Sequence, residues 1–165
     1  VIGILLYYTH VSIIVALPIY VISLGKPMNK RTVIILALLV LSIVFVGRFT
    51  DLLSDTIENT NYSTSVSEIT STDNGTNIMR VLFFSLPAII CIVFRNKIPN
   101  DAPEIINYSI NMSLVGAAFY WLSAFTNGIS IGRIPIYFTL FNYILIPWEI
   151  RTFFNENNRK IIYIL

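Results

Sequence analysis

The spacing of its apolar runs constrains this chain most. Five stretches, at about 1–24, 32–47, 78–94, 105–125 and 134–154, are dominated by Ile, Leu, Val, Phe and Tyr, and another run begins at 161. A bilayer core takes about 20 apolar residues at about 1.5 Å rise each, and these stretches meet or approach that length. They are apolar on every side, which separates a membrane span from a surface helix with one wet face. None alternates in the ten-residue segments that a transmembrane β-barrel requires. The expected fold is therefore all-α: a polytopic transmembrane helix bundle of about five spans plus the start of a sixth.

Composition fits a chain with little water-facing surface. Charged residues make up 12% and hydrophobic residues 55%, against about 25% charged in soluble domains, and the mean hydropathy is +0.73. The chain opens on Val1 without Met and stops inside the apolar run 161–165. It is expected to be a fragment of a larger membrane protein, a partial transmembrane domain over 1–165. The first segment lacks the basic start and small-residue cleavage site of a signal peptide. With Thr9, His10 and Pro18 inside it, it fits one kinked helix or two half-helices.

The connections alternate in charge. The turns at 25–31 (Lys26, Lys30, Arg31), 95–104 (Arg95, Lys97) and 151–160 (Arg151, Arg159, Lys160) carry eight of the eleven basic residues. The positive-inside rule puts these turns in the cytoplasm, and the long connection at 48–77 outside. That loop is rich in Ser, Thr and Asn, with sequons at Asn61 and Asn74 that such a composition produces by chance.

The chain has no Gly-rich phosphate loop, zinc-binding helix or nucleophile elbow. One His and one Cys build neither a metal site nor a disulfide, so no metal and no cofactor is expected, and Cys91 reads as a small buried or lipid-facing thiol. The basic residues straddle the membrane and form no nucleic-acid patch. The outer boundary remains. Arg48, Arg80 and Arg133 each fall at the external end of a span, on a side with no Lys. A single arginine there can snorkel to headgroups, but three suit a phosphate or pyrophosphate ligand, because guanidinium binds phosphate oxygens bidentately and keeps its charge. His10 lies in the outer half of its span, where an ionisable group is a functional candidate and an imidazole can move protons near neutral pH. It can equally be a hydrogen-bonded structural His. Asp51 and Asp55 read more simply as a solvated helix end than as a base.

Three stretches carry a resemblance. They are Tyr8-Thr9-His10-Val11-Ser12 followed by Leu17-Pro18, then Gly75-Thr76-Asn77-Ile78-Met79-Arg80-Val81 with Pro87, and Arg133-Ile134-Pro135-Ile136-Tyr137-Phe138 leading to Ile146-Pro147. In order and spacing they resemble the later half of the EpsG family of bacterial membrane proteins, which are similar in character to Wzy-type polymerases. The resemblance implies a multi-pass protein of the bacterial cytoplasmic membrane, assembling exopolysaccharide from polyprenyl-pyrophosphate-linked oligosaccharide. It also implies contact with membrane lipid and with other polysaccharide-assembly proteins. Joined to the position of the arginines, it makes Arg48, Arg80, Arg133 and Tyr137 the substrate-binding residues, with Arg48 outside the resembling stretches, and His10 or a group in the missing half the catalytic base. A transporter or flippase, and a non-catalytic subunit of an assembly complex, are the alternative readings.

Overall fold

The computed structural model describes residues 13–57, 75–125, 131–156 and 158–159. Six α-helices form within them: α1 (Ile13–Ile22), α2 (Lys30–Ile57), α3 (Ile78–Val93), α4 (Glu104–Ala124), α5 (Ile134–Thr139) and α6 (Asn142–Phe153). The fold among the described residues is all-helical.

Local chemistry sets the starts. Asn29 caps α2, its Oδ1 accepting from the Thr32 N–H at 2.9 Å, and Asn77 caps α3 by accepting from the Met79 N–H at 2.8 Å. Each supplies a partner to an N–H that the helix leaves orphaned. Glu104 opens α4, where a negative charge complements the helix dipole.

α4 is the axle. From Ser109 to Ala117 every residue is buried, as are Phe119, Tyr120, Leu122 and Ser123. A helix closed in on all sides must be surrounded by others, and two core clusters share it. One joins Ile106, Ile110, Leu114 and Ala117 to Ala88 and Cys91 of α3 and to Leu145 and Phe153 of α6. The other joins Met112, Val115, Phe119 and Leu122 to Ala16 of α1 and Phe138 of α5. Gly116 lets α5 approach closely, since a Cβ there would sit 3.0 Å from that of Phe138.

The helix ends sort into two groups. The loop between α1 and α2 is fastened to α4 by fully buried Asn111, whose Oδ1 accepts from the Met28 N–H at 2.8 Å and whose Nδ2 donates to the carbonyls of Ser23 (2.9 Å) and Lys26 (3.1 Å). That loop faces the α3–α4 connection across a pocket lined by Lys26, Arg95 and Asn107. Stacking of Phe94 on Phe153, and its contact with Phe154, brings the end of α6 to the same place. The three basic turns thus gather at one end.

The described helices bear out the all-helical expectation and leave one part of it, the crossing of a membrane by single helices, without support. Among the described residues no helix is long and apolar enough to cross a membrane. α3 has 16 residues, about 24 Å at 1.5 Å each, short of the roughly 30 Å hydrocarbon core. α4 has 21 but carries Asn107, Ser109, Asn111 and Ser113, which lower its hydropathy and serve the bundle interior. The stretch at 134–154 is two helices, not one. At the break, the Phe141 N–H donates to Phe138 and the Tyr143 N–H to Leu140, three residues back instead of four, and the Asn142 side chain turns away to donate to the Phe84 carbonyl at 3.2 Å. The loop expected at 48–77 is helical as far as Ile57, because α2 runs on through Arg48, Asp51 and Asp55. Within the first stretch the described helix is Ile13–Ile22, with Pro18 inside.

Candidate functional site

At the end opposite the basic turns, three chain segments meet without room to spare. The Thr76 N–H donates to the Ser123 carbonyl at 3.1 Å. Ser123 Oγ lies 2.9 Å from Thr76 Oγ1 and donates to the Tyr120 carbonyl at 2.8 Å. Glycine permits the approach on both sides. A Cβ on Gly75 would meet the Ala124 carbonyl oxygen at 2.3 Å, and one on Gly132 would meet Thr76 Oγ1 at 2.7 Å. Both are below the separation real Cβ atoms keep.

Two of the arginines leave from this knot. Arg80 lies in the first turn of α3, four residues after Thr76, and Arg133 directly follows Gly132. Both are exposed, and among the described residues neither has a carboxylate partner. Arg80 sits over two rings, with its guanidinium carbon 5.7 Å from the Tyr120 centroid and 5.9 Å from that of Phe84. The rings stack at 5.2 Å and 14°, and Tyr120 is fully buried, so the platform is rigid. A cation in the first turn of a helix opposes the helix dipole. Arg80 therefore costs α3 stability, and its position adds positive potential where N–H groups already point outward. An anionic oxygen cluster is the ligand that relieves both.

The other sequence candidates fare differently. Arg48 lies on α2, which continues past it, and its side chain lies outside the described residues. So do His10 and the sequons at Asn61 and Asn74. Tyr137 is half-buried, one turn beyond Arg133. Its backbone carbonyl accepts from Tyr20 Oη at 2.8 Å, and it packs beside the α1–α4–α5 core cluster.

The platform residues Tyr120 and Phe84 escape sequence reasoning because aromatics in an apolar run look like core. Glu149 escaped for another reason. It lies in the stretch 134–154 and is 1% exposed, accepting from Cys91 Sγ at 3.0 Å. An ionisable residue inside an apolar stretch is a functional signal, and here it lies near the end of the run, two residues before Arg151 and the turn at 151–160.

The family model described as EpsG family matches residues 3–165. Neither the curated proteins nor the solved structures contain a match.

Proposed function

As this chain belongs to the EpsG family, we propose that it is a membrane-embedded polysaccharide polymerase that uses a polyprenyl-pyrophosphate-linked donor on the outer face of the cytoplasmic membrane. Family membership supports a polymerase-like role in exopolysaccharide assembly at the coarse level. The membrane setting draws support from the outer surface of the bundle. Val33, Ile34, Leu38, Leu41 and Phe45 on α2, with Phe83, Leu86 and Val93 on α3, are each at least half exposed, and large exposed apolar side chains clustered along a helix suit a lipid-facing surface better than a water-facing one.

The observation that carries the reading is the pairing of Arg80 and Arg133 on one glycine-locked knot. A pyrophosphate there would be bound by bidentate guanidinium contacts while its hydrocarbon chain stays in lipid. As the bond from the sugar anomeric carbon to the pyrophosphate breaks, negative charge grows on the departing oxygens, and fixed cations stabilise it. The acceptor hydroxyl needs a base, and His10 is the candidate. Substrate roles for Arg48 and Tyr137 belong to the same proposal, as do the cytoplasmic placement of the three basic turns and docking to other assembly proteins.

The test is polymer production by Arg80→Lys and Arg133→Lys variants at matched membrane abundance. Lysine keeps the charge but loses the planar fork, so each variant should make at least about tenfold less polymer, a loss of one bidentate contact. Wild-type output from both would end the pyrophosphate-site reading. The break between α5 and α6 favours a second reading, a transporter, because interrupted helices line substrate sites in that class. A polymer ladder made by the purified protein from lipid-linked repeat units, without any membrane to cross, separates the two.

A further inference from the structure

α3 and α6 run parallel, with Asn142 against Phe84 at one level and Phe153 against Phe94 at the other. Between them lies a cavity of about 420 Å³, within the range of small-molecule sites. Its wall is apolar, with Phe83, Leu86 and Ile90 from α3 facing Tyr143 and Ile146 from α6. Phe83, Leu86, Tyr143 and Ile146 are exposed, so the cavity opens sideways on the apolar surface of the bundle.

Two buried polar groups on α6, Asn142 and Glu149, also line it. Asn142 is 4% exposed; its Nδ2 donates to the Phe84 carbonyl, while among the described residues its Oδ1 has no partner. Glu149 is 1% exposed, and among the described residues its one donor is the weak thiol of Cys91. A carboxyl keeps acceptor capacity beyond one such bond in either protonation state. Asn142 and Glu149 are seven residues apart, two turns on the same helix face and about 10 Å along the axis. Buried acceptors ordinarily find donors. Among the described residues no cationic side chain lines the cavity, and none of them would compensate a phosphate there.

We propose that this cavity binds an uncharged amphiphile with a hydrocarbon body and hydroxyl donors, entering from the lipid side. The hydrocarbon lies against the α3 wall, and hydroxyls donate to Asn142 Oδ1 and the Glu149 carboxyl. The site is chemically the reverse of the arginine knot, offering acceptors where the knot offers cations, and it stands whether or not the polymerase reading does.

Photolabelling tests it. The membrane-purified protein, in phosphatidylcholine nanodiscs, is labelled with a diazirine-bearing long-chain alcohol, and crosslinked peptides are identified by mass spectrometry. Saturable labelling of α3 and α6 is expected, with hexadecanol competing and hexadecyl phosphate competing at least about tenfold more weakly, the discrimination one charge-mismatched buried contact confers. Glu149→Leu combined with Asn142→Leu should cut labelling by about tenfold or more, whereas Glu149→Gln, which keeps a carbonyl acceptor, should retain most of it. Leu86→Trp fills the cavity from its rim without touching either acceptor and should abolish labelling on its own. Labelling that survives Leu86→Trp, or that hexadecyl phosphate displaces as well as hexadecanol does, overturns the proposal.

Discussion

At the end where the loops 23–29 and 95–103 meet, cations are plentiful and held in different ways. Lys26 and Arg95 line an open pocket, Lys97 lies with its Nζ 4.9 Å from the Phe94 centroid, and Arg159 donates its Nε–H to the Phe154 carbonyl at 2.8 Å. The loop 23–29 is fastened by buried Asn111, while Lys26, Arg95 and Lys97 lie at the surface. At the opposite end there are fewer cations, and the chain around them is packed to contact. Arg80 rests on two stacked rings, and Arg133 follows a glycine that no other residue could replace without displacing Thr76. Abundant charge is what sidedness in a bilayer needs, because only the sum matters. Scarce charge on a rigid support is what a ligand needs, because direction matters. The two ends should therefore respond in opposite ways to small chemical changes.

The largest effect is expected from Gly75→Ala. The added Cβ meets backbone at 2.3 Å, so the 75–76 segment must leave α4, and the Thr76–Ser123 contacts go with it. Overpacking of this kind costs about 1–3 kcal/mol. Polymer output should fall further than with either Arg→Lys change, with the protein still present in the membrane. Gly25→Ala is the matched control at the basic end. Its φ of +115° makes alanine strained by roughly 1–2 kcal/mol, but its Cβ would meet only Asn29 Nδ2 at 3.9 Å. Polymer output should hold. A Gly75→Ala protein with full activity would show that the knot does not position the arginines.

Next comes Asn111→Leu. It strips partners from the Met28 N–H and from two carbonyls at once, about 1–3 kcal/mol for each group left buried. The melting temperature of the detergent-solubilised protein should drop, whereas activity at low temperature should persist, since the arginine end is untouched. Loss of activity without loss of stability would mean that the two ends are coupled.

Tyr120→Leu should matter less. It leaves a small void in the core and removes one ring from under Arg80, worth roughly 0.5–2 kcal/mol, and should lower polymer output several-fold at matched membrane abundance. Combined with Arg80→Lys the loss should be smaller than the product of the two, because both act on one contact. Full multiplicative loss would show that Tyr120 acts apart from Arg80.

Lys97→Ala should have the smallest effect. It removes an exposed cation–π contact of about 0.5–1 kcal/mol and one of eight basic residues in the three turns, so activity and stability should barely move. Sidedness can be read in the same experiment series. In a Cys91→Ser background, an impermeant thiol reagent applied to intact cells should label Met79→Cys, at the arginine end, and leave Asn96→Cys untouched. The reverse pattern would invert the proposed orientation.

What the sequence determined by itself was the list of parts. Helical segments near 78–93 and 104–124 were legible because their apolar runs, read at 78–94 and 105–125, are long and bounded by polar connections. The family was legible in three short stretches, and the full-chain match bears it out. Arg80 and Arg133 were legible as candidates because charges in an apolar chain are few enough to inspect one by one. Tertiary structure alone decided the rest. The run at 134–154 looks continuous because Leu140, Phe141 and Asn142 carry no breaker; the break arises where Asn142 bonds across to Phe84, fifty-eight residues away. The same kind of long-range partner separates Glu149 from an ordinary helix-end acid and Tyr120 from an ordinary core aromatic. Hydropathy and capping act over a few residues and are written in order along the chain. A bond between distant residues, or a Cβ with no room, depends on which surfaces the packed helices present to each other.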